Sequence, residues 1–298
     1  MRSIRSNKTL IPSIVFLSPA LILILVFFII PVIQSFYFSF TDFNGLKQDY
    51  NFVGFDNFKN VLTTRQSTAV IRNTFYLMII YIPVLNVLAL SLAVMIKDSG
   101  KKLQNLFKSV FFFPNLLALA VTGYIWRMML NPATGALNHF LRSAGLDHLA
   151  IDWLGRADTV LPVISVTTVW FATGFYMVIY LAGLMGIPNE LYEASSIDGA
   201  TRWQQFRFIT VPQLAPTFTI NLILTTIGIL GAFDLPLTMT EGGPGFSSTT
   251  VALQIYFFNA RQLQLANGVA LSVLLCIVSI IITAVLFMIT SRREEKMR

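Results

Sequence analysis

Apolar residues recur in blocks long enough to cross a lipid bilayer, separated by stretches where charged and turn-forming residues gather. A hydrocarbon layer about 30 Å thick needs roughly 20 predominantly apolar residues in helical form. Six windows reach that length: roughly 10–40, 74–96, 110–130, 160–185, 216–237 and 266–290. Lipid offers backbone N–H and C=O groups no partner, so these windows predict helices and an all-α, polytopic membrane protein. The first window exceeds one span and contains Pro12, Pro19 and Pro31. Pro12 and Pro19 fall early in it, which predicts a break or an interfacial segment ahead of the true span. Basic residues before this run imitate a secretory signal. Its length, and the lack of a small-residue cleavage site soon after it, favour an uncleaved first helix.

Composition agrees with the windows. Of 298 residues, 55% are hydrophobic and 12% charged, about half the charged share of soluble domains. The single cysteine, Cys276, lies in an apolar run and can form no internal disulfide. A net charge of +7 raises nucleic acid or a membrane surface as partners. Its distribution decides between them. With alternating spans, thirteen of the 21 Lys and Arg fall on the side of the N-terminus and eight on the other. Six acidic residues accompany the thirteen and eight accompany the eight, so the entire excess sits on one face. That asymmetry is a topology signal: both termini are expected on the cytoplasmic side, in a multi-pass cytoplasmic-membrane protein, with no nucleic-acid role.

Three long mixed loops, roughly 41–73, 131–159 and 238–265, are expected outside. Inside, the connection of roughly 186–215 is longer and more patterned than a turn. Pro188 suits a helix start, and Glu190 and Glu193 lie where negative charge complements the helix dipole. Asp198-Gly199 is a stop signal, Thr201 a cap for a second short helix, and Pro212 the entry to the next span. Two short helices meeting at Gly199 are predicted.

The spacing in this segment closely resembles the EAA loop of ABC importer permeases, carried by Glu193, Ala194, Ser195, Gly199, Ile209, Val211 and Pro212. Ser195 and Val211 stand where the family has Ala and Leu. The run from Phe233 to Pro244, the stretch Val53–Phe58, Asn73-Thr74, Pro114, Trp126, Trp170 and Gly174 resemble the maltose-type carbohydrate-uptake permeases. The match is to the subunit type with the Gly-Gly-Pro turn (Gly242, Gly243 and Pro244).

The resemblance implies a single transmembrane permease domain over 1–298, with core spans at roughly 70–290, an N-terminal helix at 10–40 and a coupling loop at 187–212. It implies that the loop seats on a separate ATPase through Glu193, Ala194, Ser195, Asp198, Gly199, Ile209 and Pro212. A second homologous permease, a dimer of ABC ATPases that binds ATP and Mg, an extracytoplasmic sugar-binding protein and membrane lipid are the implied partners. In the spans flanking the loop, Thr168, Trp170, Phe175, Asn221, Thr225, Gly228, Ala232 and Asp234 are the candidate substrate pathway. The related maltose permease has larger or more polar side chains where this chain has Gly228, Ile229 and Ala232.

No catalytic chemistry is expected. Gly100-Lys101 is followed by Lys102 and lacks the upstream glycine of a phosphate-binding loop. His139 and His148 have no ligand spacing around them, so no metal site and no cofactor of this chain's own are predicted. Two alternatives stay open. An importer for another solute would share the docking loop. An ion-coupled secondary transporter would place acidic residues deep in the membrane, where only Asp234 qualifies.

Overall fold

The computed structural model describes residues 7–45 and 49–297, with residues 7–14, 65 and 293–297 described in backbone only. Arg2, Arg5, Lys47 and Arg298, which enter the charge balance, lie outside the described residues.

In chain order, α1 (Asn7–Ile24), a π turn (Leu25–Ile29) and α2 (Ile30–Phe38) form the first apolar stretch. The short α3 (Asp56–Thr63) precedes the long α4 (Arg65–Lys97). Next come α5 (Lys101–Phe112), a 3-10 turn (Phe113–Leu116), α6 (Leu119–Met129) and α7 (Ala136–Ser143). After the long α8 (Val160–Met185) stand α9 (Asn189–Ile197), α10 (Arg202–Gln205), a second π turn (Phe206–Thr210) and α11 (Val211–Gln213). The chain then runs through α12 (Ala215–Leu230), α13 (Asp234–Thr240), α14 (Val251–Tyr256), a third π turn (Phe257–Arg261) and α15 (Leu265–Met297).

Among the described residues, four unbroken helical stretches are long and apolar enough to span, namely Val15–Phe38, Gln66–Lys97, Val160–Met185 and Leu265–Arg292. Two bent pairs raise the total to six if each is one span: Lys101–Leu116 with Leu119–Met129 at 93°, and Arg202–Gln213 with Ala215–Leu230 at 64°. The apolar window over 110–130 thus falls on the first bent pair. Pro114 sits in the 3-10 turn and Leu117 is extended (ψ 147°), so the axis turns where the i→i−4 ladder is lost. The expected fifth span over 216–237 is also shorter, ending at Leu230, with Asp234 opening a separate helix.

The break expected at Pro12 or Pro19 is absent, because α1 runs through both. Pro19 frees the Val15 carbonyl, and the Ser18 hydroxyl donates to that carbonyl at 2.9 Å. The irregularity falls instead just before Pro31, where the Ile30 N–H reaches back five residues to the Leu25 carbonyl. The same wide turn precedes Pro212, with the Val211 N–H bonded to the Phe206 carbonyl. In both, the widened turn relieves the clash between the proline ring and the carbonyl four residues earlier.

The chain divides into two compact units. In the unit of Met1–Thr63 and Ile255–Leu274, the Asn57 amide donates to the Ser39 and Thr41 carbonyls at 2.9 and 2.7 Å. Those bonds tie α3 to the end of α2, and Phe58 packs with Ala270 and Val273.

In the unit of Thr64–Gln254 and Leu275–Arg298, α4 and α8 form the central pair, with α12 against both and α13 against α6. Leu85, Ala89 and Ala93 recur at one-turn spacing on α4 and are wholly buried, as are Met177 and Tyr180 on α8. Two alanines in that stripe let the helix axes approach, which is how apolar helices gain contact where lipid is as apolar as Leu. Gly174 takes this further: a Cβ there would collide with the Phe111 carbonyl.

Candidate functional site

The connection after α8 folds into two arms with a defined corner. Pro188 takes an extended conformation one residue ahead of α9, rather than the first helical position. At the other end Gly199 is left-handed (φ +77°). The Ala200 N–H reaches the Ser195 carbonyl at 2.9 Å and the Gly199 N–H the Ser196 carbonyl at 3.1 Å. Together these satisfy two of the terminal carbonyls of α9 in a Schellman arrangement. The second arm starts at Thr201, whose side chain accepts from the Gln204 N–H at 3.3 Å. Gln204 Oε1 accepts from the Thr201 N–H at 2.7 Å, completing a reciprocal cap.

Side chains brace the arms. Gln205 Nε2 donates to the Ser195 and Ser196 hydroxyls at 3.0 and 2.9 Å. The Tyr192 and Thr210 hydroxyls lie 2.9 Å apart. The Lys97 ammonium, from the last turn of α4, sits 4.1 Å from the centre of the Tyr192 ring. Ser195, the polar replacement for the family's alanine, thus uses its hydroxyl to hold the second arm. Sequence reading missed Gln205, Tyr192, Thr210 and Lys97, because their pairings join positions 9 to 95 apart and leave no local spacing signal.

What remains outward is what a partner would meet. Glu193, Ala194, Asp198 and Gly199 are exposed. Ile197 is 87% exposed and Trp203 66%, and Phe208 is exposed as well. Ile209 and Pro212 are half-buried at the root of the second arm.

A cavity of about 340 Å³ opens among α4, the 3-10 turn, α8, α12 and α13. It brings together Thr168, Phe175, Gly228, Ala232 and Asp234, with Tyr81, Asn115, Phe171, Tyr176 and Phe233 completing most of the wall. The other three predicted pathway residues stand elsewhere. Asn221 and Thr225 are wholly buried in the α4–α8–α12 packing. There Asn221 Nδ2 lies 3.5 Å from the Tyr176 carbonyl, Thr225 Oγ1 lies 3.4 Å from Asn86 Nδ2, and Asn221 Oδ1 is sequestered without a partner. Trp170 packs edge-on against Trp126 at 5.5 Å.

A third cluster assembles the Gly-Gly-Pro turn. Asn73 donates to the Phe246 and Thr249 carbonyls at 2.7 and 3.1 Å, and the Val251 N–H donates to Thr74 Oγ1 at 2.9 Å. Ser248 and Thr249 hydroxyls donate back to the Gly243 and Gly242 carbonyls. Two segments singled out separately in sequence, Asn73-Thr74 and Gly242–Pro244, therefore belong to one clamp.

Helices that bury polar groups around a cavity, with a braced loop left exposed between two spans, define a membrane transport subunit. The family model described as "Binding-protein-dependent transport system inner membrane component" matches residues 85–293. The chain belongs to that family: it is a multi-pass inner-membrane permease of an ABC transporter, and not itself the ATPase.

It is 33% identical over 284 residues to a Pyrococcus horikoshii protein named as a probable ABC transporter permease, covering 95% of this chain and 97% of that one. It is 31% identical to the AmyD protein of Thermoanaerobacterium thermosulfurigenes, named as a probable permease for starch degradation products, covering 95% and 94%. Among solved structures, a bacterial alginate ABC transporter, in complex with an alginate pentasaccharide-bound periplasmic protein, matches with a TM-score of 0.84. The identity is 25%, and 98% of each chain is covered.

Proposed function

We propose that this permease forms half of the pathway of an importer for oligosaccharides, and that the 187–212 loop receives the force of ATP hydrolysis. The observation that carries the loop assignment is the exposed edge of α9 beside the rigid corner at Gly199. Glu193 there is free to enter a groove, while Ile197 and Trp203 offer apolar surface that water alone would leave costly. The EAA spacing and the Lys/Arg asymmetry support placing this loop, with both termini, in the cytoplasm. Two ATPase subunits would bind ATP and Mg, a second homologous permease would complete the pathway, and an extracytoplasmic binding protein would deliver the sugar.

Mechanically, a push on α9 would pass through Gln205 and Tyr192 to the second arm, and through Lys97 to α4. Both lead to helices that wall the cavity. The carbohydrate assignment is supported by the names of the relatives and by the wall chemistry. Phe175 and Tyr176 supply aromatic surface for sugar C–H groups, and Asn115, Thr168 and Asp234 supply hydrogen-bonding groups. A cavity of this make-up suits a polar solute with apolar faces.

The test is copurification. Glu193→Lys is expected to insert normally in the membrane but to lose the ATPase on purification and to lose uptake. An exposed ion pair is worth about 0–1 kcal/mol, whereas a pair enclosed in a docking groove costs roughly 2–5 kcal/mol when broken from one side. Normal uptake by the variant would remove Glu193 from the contact.

A further inference from the structure

Among the described residues, the cavity wall carries one acidic side chain and no basic one. Of the described residues that line it, only Asp234 has an acidic or basic side chain. Asp234 is half-buried at the first position of α13. Among the described residues its carboxylate has no ion-pair partner: the ion pairs there are Arg127 with Glu241 and Arg156 with Asp158. Arg127, a cation of the neighbouring α6, lies on the wall of a different cavity and faces Glu241 at 3.9 Å. The remaining polar wall groups, Asn115, Thr168, Tyr81 and Tyr176, are neutral.

We propose that Asp234 makes this cavity selective for uncharged oligosaccharides and sets it against chains that carry carboxylates. The proposal rests on the cavity being the carbohydrate path. A carboxylate accepts hydrogen bonds from neighbouring sugar hydroxyls, and such charge-assisted bonds are the strong ones. A uronate would instead bring a second negative charge into a half-enclosed space with no cation among this chain's described lining residues to offset it. Repulsion there is several times stronger than in bulk water. The similar solved transporter takes alginate, an acidic polysaccharide. Likeness of fold to that protein therefore does not carry its substrate over to this chain.

The complete complex of permeases and ATPase subunits, in lipid nanodiscs without the binding protein, tests this directly. Equilibrium binding of radiolabelled maltopentaose and of an alginate pentasaccharide is measured at low and high salt. The wild type is expected to bind maltopentaose at least about tenfold more tightly at low salt. That gap should shrink as salt screens the repulsion. Asp234→Asn is expected to weaken maltopentaose binding, strengthen alginate binding and abolish the salt dependence of the ratio, whereas Asp234→Glu should retain the gap. The wild-type salt dependence stands whether or not the variants assemble. Alginate bound as tightly as maltopentaose by the wild type, or an Asn variant with the gap intact, overturns the charge assignment alone. A wild-type complex that binds neither sugar defeats the carbohydrate reading and this proposal with it.

Discussion

The phenol of Tyr180 on α8 donates a 2.7 Å hydrogen bond to Oδ1 of Asn86 on α4, inside the central helix pair. Tyr180 is wholly buried, and Asn86 nearly so. The Asn86 amide in turn donates to the Ile82 carbonyl at 2.8 Å and approaches Thr225 Oγ1 of α12 at 3.4 Å. One asparagine thus links three helices from inside their shared packing.

Tyr180→Phe keeps the ring and leaves Asn86 Oδ1 without its donor. Interhelical hydrogen bonds in membranes average about 0.6 kcal/mol and reach about 1.7 kcal/mol. A fully sequestered acceptor places this one at the upper end. The purified complex should therefore unfold at lower temperature, and Asn86→Leu should cost more because it also strands Tyr180. Near-additive losses in the double variant, measured by thermal unfolding in one detergent, would show that the two side chains do not act as a pair.

At Gly199 the space around the missing Cβ is open, with no atom within 4 Å, so only the left-handed backbone resists substitution. A non-glycine residue in that conformation costs about 1–2 kcal/mol, and Asn tolerates it best. Gly199→Asn is expected to keep most uptake and Gly199→Val to lose it, with normal membrane insertion in both. Equal loss in the two, measured as initial uptake rate per inserted complex, would point to crowding against a partner instead of to the corner.

The Asn73 clamp predicts a local effect. Asn73→Asp removes both donors and sets a carboxylate against the Phe246 and Thr249 carbonyls. Two buried hydrogen bonds at about 1 kcal/mol each put the loss near 2 kcal/mol. Limited proteolysis of the purified protein should then cut within 241–250 far sooner than in the wild type. Unchanged cleavage would mean that the Ser248 and Thr249 bonds hold the turn alone.

Much of this was legible from the chain and some of it could not be. Apolar length located the helical blocks, and the short signals at Asp198-Gly199 and Thr201 located the corner and the second cap, because both are set by residues within one turn. The 93° bend at Leu117 was hidden, since Pro114 lies inside an apolar window and hydropathy averages over it. Pro19 misled in the opposite direction, because Ser18 repairs the carbonyl it frees. Of the candidate path, Thr168, Phe175, Gly228, Ala232 and Asp234 share a wall, but Asn221 and Thr225 face helix packing. Polarity in a span predicts burial, and the choice between a cavity and a helix seam is made by neighbours far away in sequence.

Two glycines of the candidate regions separate packing from passage. At Gly174 a Cβ would meet the Phe111 carbonyl and the Phe112 nitrogen, both backbone atoms of α5, which cannot rotate aside. At Gly228 on the cavity wall it would meet only the Tyr176 hydroxyl, at 3.9 Å, an ordinary contact. Gly174→Ala must therefore push α8 away from α5, and overpacking of this kind costs about 1–3 kcal/mol. Gly228→Ala should not lower the unfolding temperature, since Ala suits a helix better than Gly, and should take volume from the cavity. Uptake of a long oligosaccharide would then fall more than uptake of a disaccharide, in proteoliposomes holding the complete importer. If Gly228→Ala slows neither, its face of the cavity lies off the path; if Gly174→Ala unfolds like the wild type, α8 and α5 have more room than the backbone positions give them.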